Sequence, residues 1–197
     1  AQQSAINFTR SNEQEADRIG MTILAEAGFD PNAVPQFFTK LSEQSRFVNQ
    51  QLAFLQTHPL SQARVSDTRL RAQQFPTRFV PDSMDFTLSK ARVLARYHHD
   101  TKDALTIFQR KLAEPGGNTR ANRYGLAVAL LDNKDYAAAR AQIEPLLEQD
   151  PHNLYYLDVL TDVMIGQQQY QRALDLLQQE YLLRPNNQVV TLNYANV

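Results

Sequence analysis

The feature that most constrains this chain is a period of 34 residues in its second half. Tyr136, Ala139, Ile143 and Pro151 return 34 residues later as Tyr170, Ala173, Leu177 and Pro185. Ala104 and Phe108 precede Ala139 and Ile143 by 35, the extra residue falling near Gly116 and Gly117. A small residue early in one helix of each unit lets two helices cross closely, and a proline stops that helix before the next unit begins. Each unit buries its apolar face only against its neighbours, so the pattern dictates a stack of helix pairs.

That period is the length of a tetratricopeptide repeat. Leu126, Ala127 and Leu130 take the first-helix positions of the middle repeat. The stretch from Val189 to Val197 reads as the start of a further unit whose second helix is missing. The expectation is about three repeats plus this start, truncated at the C-terminal end. Groove candidates are Asn122, Arg123, Tyr124, Asn153, Tyr155 and Tyr156, in or near the first helices, with some of them serving packing between repeats instead.

The rest of the chain is helical too. Six glycines, no tryptophan and an abundance of Ala, Leu, Gln and Arg favour helices, and no alternating strand pattern is bounded by turn residues. The fold class is all-α. Pro76 and Pro81 interrupt it, since each removes an amide donor and restricts the residue before it. The organisation is therefore a first domain over residues 1–75, a linker over 76–82 and the repeats over 83–197.

Three helices are expected in the first domain. One runs from Asn12 to Ala27 and stops at Gly28, with Ile19, Ile23 and Leu24 as its apolar stripe and Ala16 and Ala27 as close-packing positions. The second starts after Asp30-Pro31 and buries Val34, Phe37, Phe38 and Leu41. The third follows His58-Pro59, runs from Ser61 to Gln74 and carries Leu60, Val65 and Leu70.

Composition removes several function classes. With a net charge of −1 the chain has no broad attraction for nucleic acid or anionic membrane. Without cysteine there are no disulfides, thiolate metal ligands or thiol nucleophiles. No apolar run approaches the roughly 20 residues of a transmembrane segment.

Chemistry concentrates at Glu13 and Asp17. Four residues apart, they share one helical face. Glu13 can ligate a metal there while Asp17 accepts a hydrogen bond from a ligating histidine's other ring nitrogen. The plainer reading is that acidic residues in a first turn favour the helix dipole. His98 and His99 project about 100° apart, so a favourable interaction with a helix C-terminus suits them better than a shared metal. His152, in the turn after Pro151, has no assigned role.

The run Ser11-Asn12-Glu13-Gln14-Glu15-Ala16-Asp17-Arg18-Ile19-Gly20, followed by Ala27-Gly28-Phe29-Asp30-Pro31, resembles the zinc metallopeptidase family of CAAX prenyl proteases and HtpX-type quality-control proteases. Thr57-His58-Pro59 with Arg64 matches that family's T-H-P-x-x-x-x-R element, in the same order. A peptidase segment joined to tetratricopeptide repeats resembles a periplasmic branch of the family that acts in outer-membrane protein assembly and quality control. The resemblance implies Zn2+ in the intact enzyme, Glu13 as third protein ligand and Asp17 in support of a ligating histidine. Arg64 would pair with a carboxylate or contact substrate backbone. His58 either caps the loop or reaches the zinc site, there to stabilise an oxyanion or to occupy the open coordination position.

The H-E-x-x-H element of that family is absent: the histidines are His58, His98, His99 and His152. Two ligands and the general base are missing, so this chain is expected to lack zinc and to be inactive alone. The partners implied are the outer-membrane β-barrel assembly machinery and unfolded outer-membrane protein clients. The rival expectation is a non-catalytic repeat scaffold or co-chaperone.

Overall fold

The computed structural model describes residues 2–47, 58–98 and 100–197, and among these there is no strand. The chain divides into two compact units, Ala1–Pro81 and Asp82–Val197.

The first unit holds α1 (Gln2–Glu26), α2 (Ala33–Phe47) and α3 (Gln62–Ala72). Helix α1 ends as the glycine dictates. Gly28 takes φ +88°, its amide bonds Ala25 at 3.1 Å and the Phe29 amide bonds Leu24 at 3.0 Å. A side chain at that φ would be strained, so glycine closes the helix. Asp30 turns the chain into α2 by accepting from the Asn32 amide at 3.0 Å. The Ser61 hydroxyl caps α3 by accepting from the Arg64 amide.

Several sequence expectations fail here. Helix α1 begins ten residues before Asn12, because nothing from Gln2 to Ser11 breaks a helix and a capping residue does not by itself start one. Its buried line runs through Glu13, Asp17 and Met21 towards Leu24, while Ile19, Ile23, Ala16 and Ala27 are exposed. The reason lies on α3: Arg64 draws the acidic face of α1 inward and so rotates the aliphatic face outward. On α2, Val34 and Phe38 are partly buried and Leu41 is buried, but Phe37, one residue round the helix, is exposed. On α3 the buried line is Arg64, Val65, Thr68 and Ala72; Leu70 points away, and Leu60 is only partly buried.

The second unit is a regular array of α4 (Met84–Val93, running on as a π-helical turn over Leu94–His98), α5 (Thr101–Ala113), α6 (Arg120–Asp132), α7 (Tyr136–Gln149), α8 (Leu154–Gly166), α9 (Tyr170–Leu183) and α10 (Gln188–Asn196). The extra residue of the first interval sits in the connection 114–119, longer than its counterpart 150–153. Side chains of Ser83, Asp100, Thr119, Asp135, Asn153 and Asn187 cap the helices that follow them. Each such cap is worth about 1 kcal/mol. The period reaches the backbone as well, since Lys134 and Gln168 both adopt left-handed φ, 64° and 60°, in the turn inside a repeat.

Between the helices lies one continuous core in which Leu88, Ala104, Phe108, Tyr124, Ala139 and Ile143 are fully enclosed. Gly125 is where the Phe108 ring lies against α6, and a Cβ there would come within 2.2 Å of it. Tyr136 meets Gly166 of α8 in the same way at 2.3 Å. The expectations for the side chains of His98 and His99 fall outside the described residues.

Candidate functional site

The four residues singled out in the first unit meet at one place. Glu13 and Asp17 project one turn apart from α1, while Arg64 projects from the first turn of α3 and His58 precedes that helix. The Arg64 guanidinium grips Asp17 with two parallel bonds, Nε to Oδ2 at 2.7 Å and Nη2 to Oδ1 at 2.6 Å. Its remaining nitrogen, Nη1, contacts Glu13 Oε2 at 2.9 Å and donates to the Pro59 carbonyl at 3.1 Å. The Phe38 ring lies 5.2 Å from the guanidinium carbon. A planar fork suits two carboxylates one helical turn apart, where a lysine would satisfy only one.

Electrostatics follow from this packing. The Asp17 side chain is 8% exposed, so its charge depends on Arg64 rather than water. Hydrogen bonding to Asp17 is the largest reason that the Arg64 pKa lies above its usual value, against the opposing effect of burial. Glu13 presents its other oxygen, Oε1, to His58 Nδ1 at 2.5 Å, and His58 itself is 63% exposed. A cleft of about 310 Å³ opens beside this pair, lined by Arg10, Glu13, Pro59, Leu60 and Arg64.

The donors are of the kind that zinc takes, one carboxylate oxygen and one imidazole nitrogen. Their arrangement falls short of a metal shell. Two ligands around a tetrahedral zinc lie roughly 3.3 Å apart, whereas these two atoms are at the hydrogen-bonding distance of 2.5 Å. Among the described residues no three His, Cys, Asp or Glu side chains converge to hold a metal ion. Asp17, expected to accept from a histidine, has both oxygens on Arg64.

In the second unit the groove candidates separate into three kinds. Tyr124 and Tyr156 are fully enclosed and belong to the packing. Asn153 caps α8, Asn122 donates to the Gly117 carbonyl and Arg123 to Asn118, so these three fix turns. Tyr155 stays on the inner surface, where its hydroxyl meets Ser89 Oγ at 2.6 Å. Sequence reading passed over the charged residues of that surface: Arg92 pairs with Asp158 and donates to the Tyr124 hydroxyl, and Arg96 pairs with Asp132. Arg92 and Asp158 stand 66 residues apart and Arg96 and Asp132 stand 36 apart, two repeats and one, separations that no local spacing reveals. His152 bonds Glu180 at 2.8 Å, joining the turn before α8 to α9.

A helical unit carrying this carboxylate pair is followed by a stack of 34-residue helix pairs, the architecture of tetratricopeptide repeats. Residues 1–72 match the model of Peptidase family M48, and residues 95–163 match Tetratricopeptide repeat. The first unit thus belongs to peptidase family M48 and the second is a tetratricopeptide array. Over its full length the chain is similar to Beta-barrel assembly-enhancing protease of Yersinia pestis, 41% identical over 199 residues. It is 40% identical to the protein of the same name from Escherichia coli strain K12, over 98% of the chain. A further similarity, 38% over 58 residues, is to Mitochondrial metalloendopeptidase OMA1 of Schizosaccharomyces pombe, covering 29% of the chain and 17% of that protein. The chain spans 40% of the length of the two bacterial relatives. The peptidase family implies a metal cofactor, usually zinc.

Proposed function

We propose that this chain is part of a periplasmic zinc metalloprotease with a chaperone-like role in outer-membrane protein assembly and quality control, and that Glu13 is its contribution to the metal. The observation that carries the proposal is the division of labour around Arg64. It locks Asp17 and one oxygen of Glu13, leaving Glu13 Oε1 aimed at the exposed His58 beside an open cleft. Bound zinc would act as a Lewis acid towards a peptide carbonyl. Of the chain's own residues, Glu13 would hold the metal and Arg64 with Asp17 would fix the α1 face that presents it. His58, already in contact with Glu13, would either occupy the open position or donate to developing negative charge. Without the two histidines and the glutamate of H-E-x-x-H, these residues are inactive alone. The repeats would recruit the β-barrel assembly machinery or unfolded outer-membrane proteins, and the bacterial relatives' name supports that reading. No helix among the described residues is long and apolar enough to cross a membrane.

The test uses the full-length protein. Glu13→Gln should lower bound zinc, read by elemental analysis, and abolish casein cleavage while the circular dichroism of the repeats is kept. Zinc content and cleavage equal to the parent protein would leave the Glu13–Arg64 cluster as a helix clamp and favour a non-catalytic repeat scaffold.

A further inference from the structure

The inner surface of the repeat array is identified by contacts that skip a repeat. Ser89 and Arg92 on α4 reach Tyr155 and Asp158 on α8, 66 residues away, past the intervening α6. Side chains of alternate first helices can meet in this way only on the inside of the curve. The charges there do not balance. Arg92 is fully engaged: it pairs with Asp158, donates to the Tyr124 hydroxyl at 2.7 Å and lies 5.5 Å from the centre of the Tyr155 ring. Asp158 also accepts from Asn193 of α10 at 2.9 Å. Arg96 is divided between two carboxylates, Asp132 at 3.3 Å and Asp162 at 3.9 Å. The second of these lies beyond hydrogen-bonding distance.

Three aspartates therefore face two guanidiniums, and the shortfall falls on Asp162. Its side chain is 45% exposed, open to a partner approaching along the groove. Burial first, then the charge of Asp158, lifts its carboxyl pKa above the usual range, as a carboxylate short of a cation requires. The apolar end of the wall is set by register. One period after Tyr155 and Asp158 stand Val189 and Leu192, both exposed on α10.

We propose that the groove takes an extended peptide segment presenting a lysine or arginine side chain to Asp162, with an apolar residue beside it for Val189 and Leu192. Both groove arginines already have aspartate partners, so a peptide's free C-terminal carboxylate would have to break an existing pair to bind. A cation breaks none and completes the balance. The proposal rests on the reading of the repeats as a recruiting surface and adds the chemistry of what they recruit.

The 197-residue chain, labelled with 13C at its aspartate carboxyl carbons, is titrated with N-acetyl-arginyl-leucine amide. The same dipeptide carrying citrulline, which keeps the shape and loses the charge, serves as control, and the free-acid dipeptide acetyl-leucyl-glutamate as the anionic probe. The arginine dipeptide should shift the Asp162 signal and bind roughly tenfold tighter than the citrulline one, the worth of one charge-assisted hydrogen bond. Asp162→Asn should remove that preference, and Asp162→Lys should transfer it to the anionic probe. Equal binding of arginine and citrulline, tighter binding of the anionic probe to the parent chain, or a preference surviving in Asp162→Asn would overturn the proposal. None of these outcomes depends on zinc or cleavage, so the peptidase reading stands or falls separately.

Discussion

Replacing Arg64 by methionine tests whether the first unit is organised around one guanidinium. The substitution keeps an unbranched apolar stem but removes the guanidinium, and with it the contact over the Phe38 ring, both bonds to Asp17 at 2.6 and 2.7 Å, the contact with Glu13 at 2.9 Å and the bond to Pro59. Two carboxylates, 8% and 14% exposed, are left one helical turn apart without a cation. Breaking a buried pair from one side costs about 3–5 kcal/mol. Residual water access to Glu13 places Arg64→Met towards the lower end, about 3 kcal/mol. Arg64→Lys should cost about half as much, because an ammonium keeps the charge but not the fork. Neutralising the acids as well, in Glu13→Gln/Asp17→Asn/Arg64→Met, should recover at least about 1–2 kcal/mol, since the orphaned charges are gone. The assay is urea unfolding followed by hydrogen exchange of peptides spanning 13–26 and 62–72, which reports this unit apart from the repeats. The reasoning is refuted if Arg64→Met loses less than about 0.5 kcal/mol, or if the triple variant is no more stable than the single one.

Two further outcomes concern the repeats. Gly125→Ala should destabilise the array by about 1–3 kcal/mol, because its Cβ meets the enclosed Phe108 ring at 2.2 Å; thermal unfolding checks it, and Phe108→Leu in the same chain should relieve part of the loss. Burial drives the Tyr124 hydroxyl pKa up to about 12, partly opposed by Arg92. A raised tyrosine pKa means that the folded state holds its proton longer, so this contribution is fully present below about pH 10 and is lost as pH rises towards 12. Ultraviolet titration of the chain's tyrosines should show Tyr124 ionising after the exposed ones, and Tyr124→Phe should flatten the loss of stability across that window.

Much of this protein was legible in one dimension. The helix pairs, their 34-residue spacing and the stop at Gly28 depend on groups within a few residues of one another, so the chain records them locally. Glu13 and Asp17 were legible as candidates by their helical spacing, and His58 and Arg64 through the T-H-P-x-x-x-x-R element. Which face each helix buries was not. Ile19, Ile23, Phe37 and Leu70 read as core by their chemistry, yet all four are exposed, and for Ile19 and Ile23 the cause is a guanidinium 47 residues from Asp17 that holds the opposite face of α1. The same limit hid the groove network, because Arg92 and Asp158 become partners only when the array's curvature brings α4 to α8. Periodicity says that a helix has two faces. The choice between them is made by whatever charge or ring the opposite helix brings into contact, and only tertiary packing supplies it.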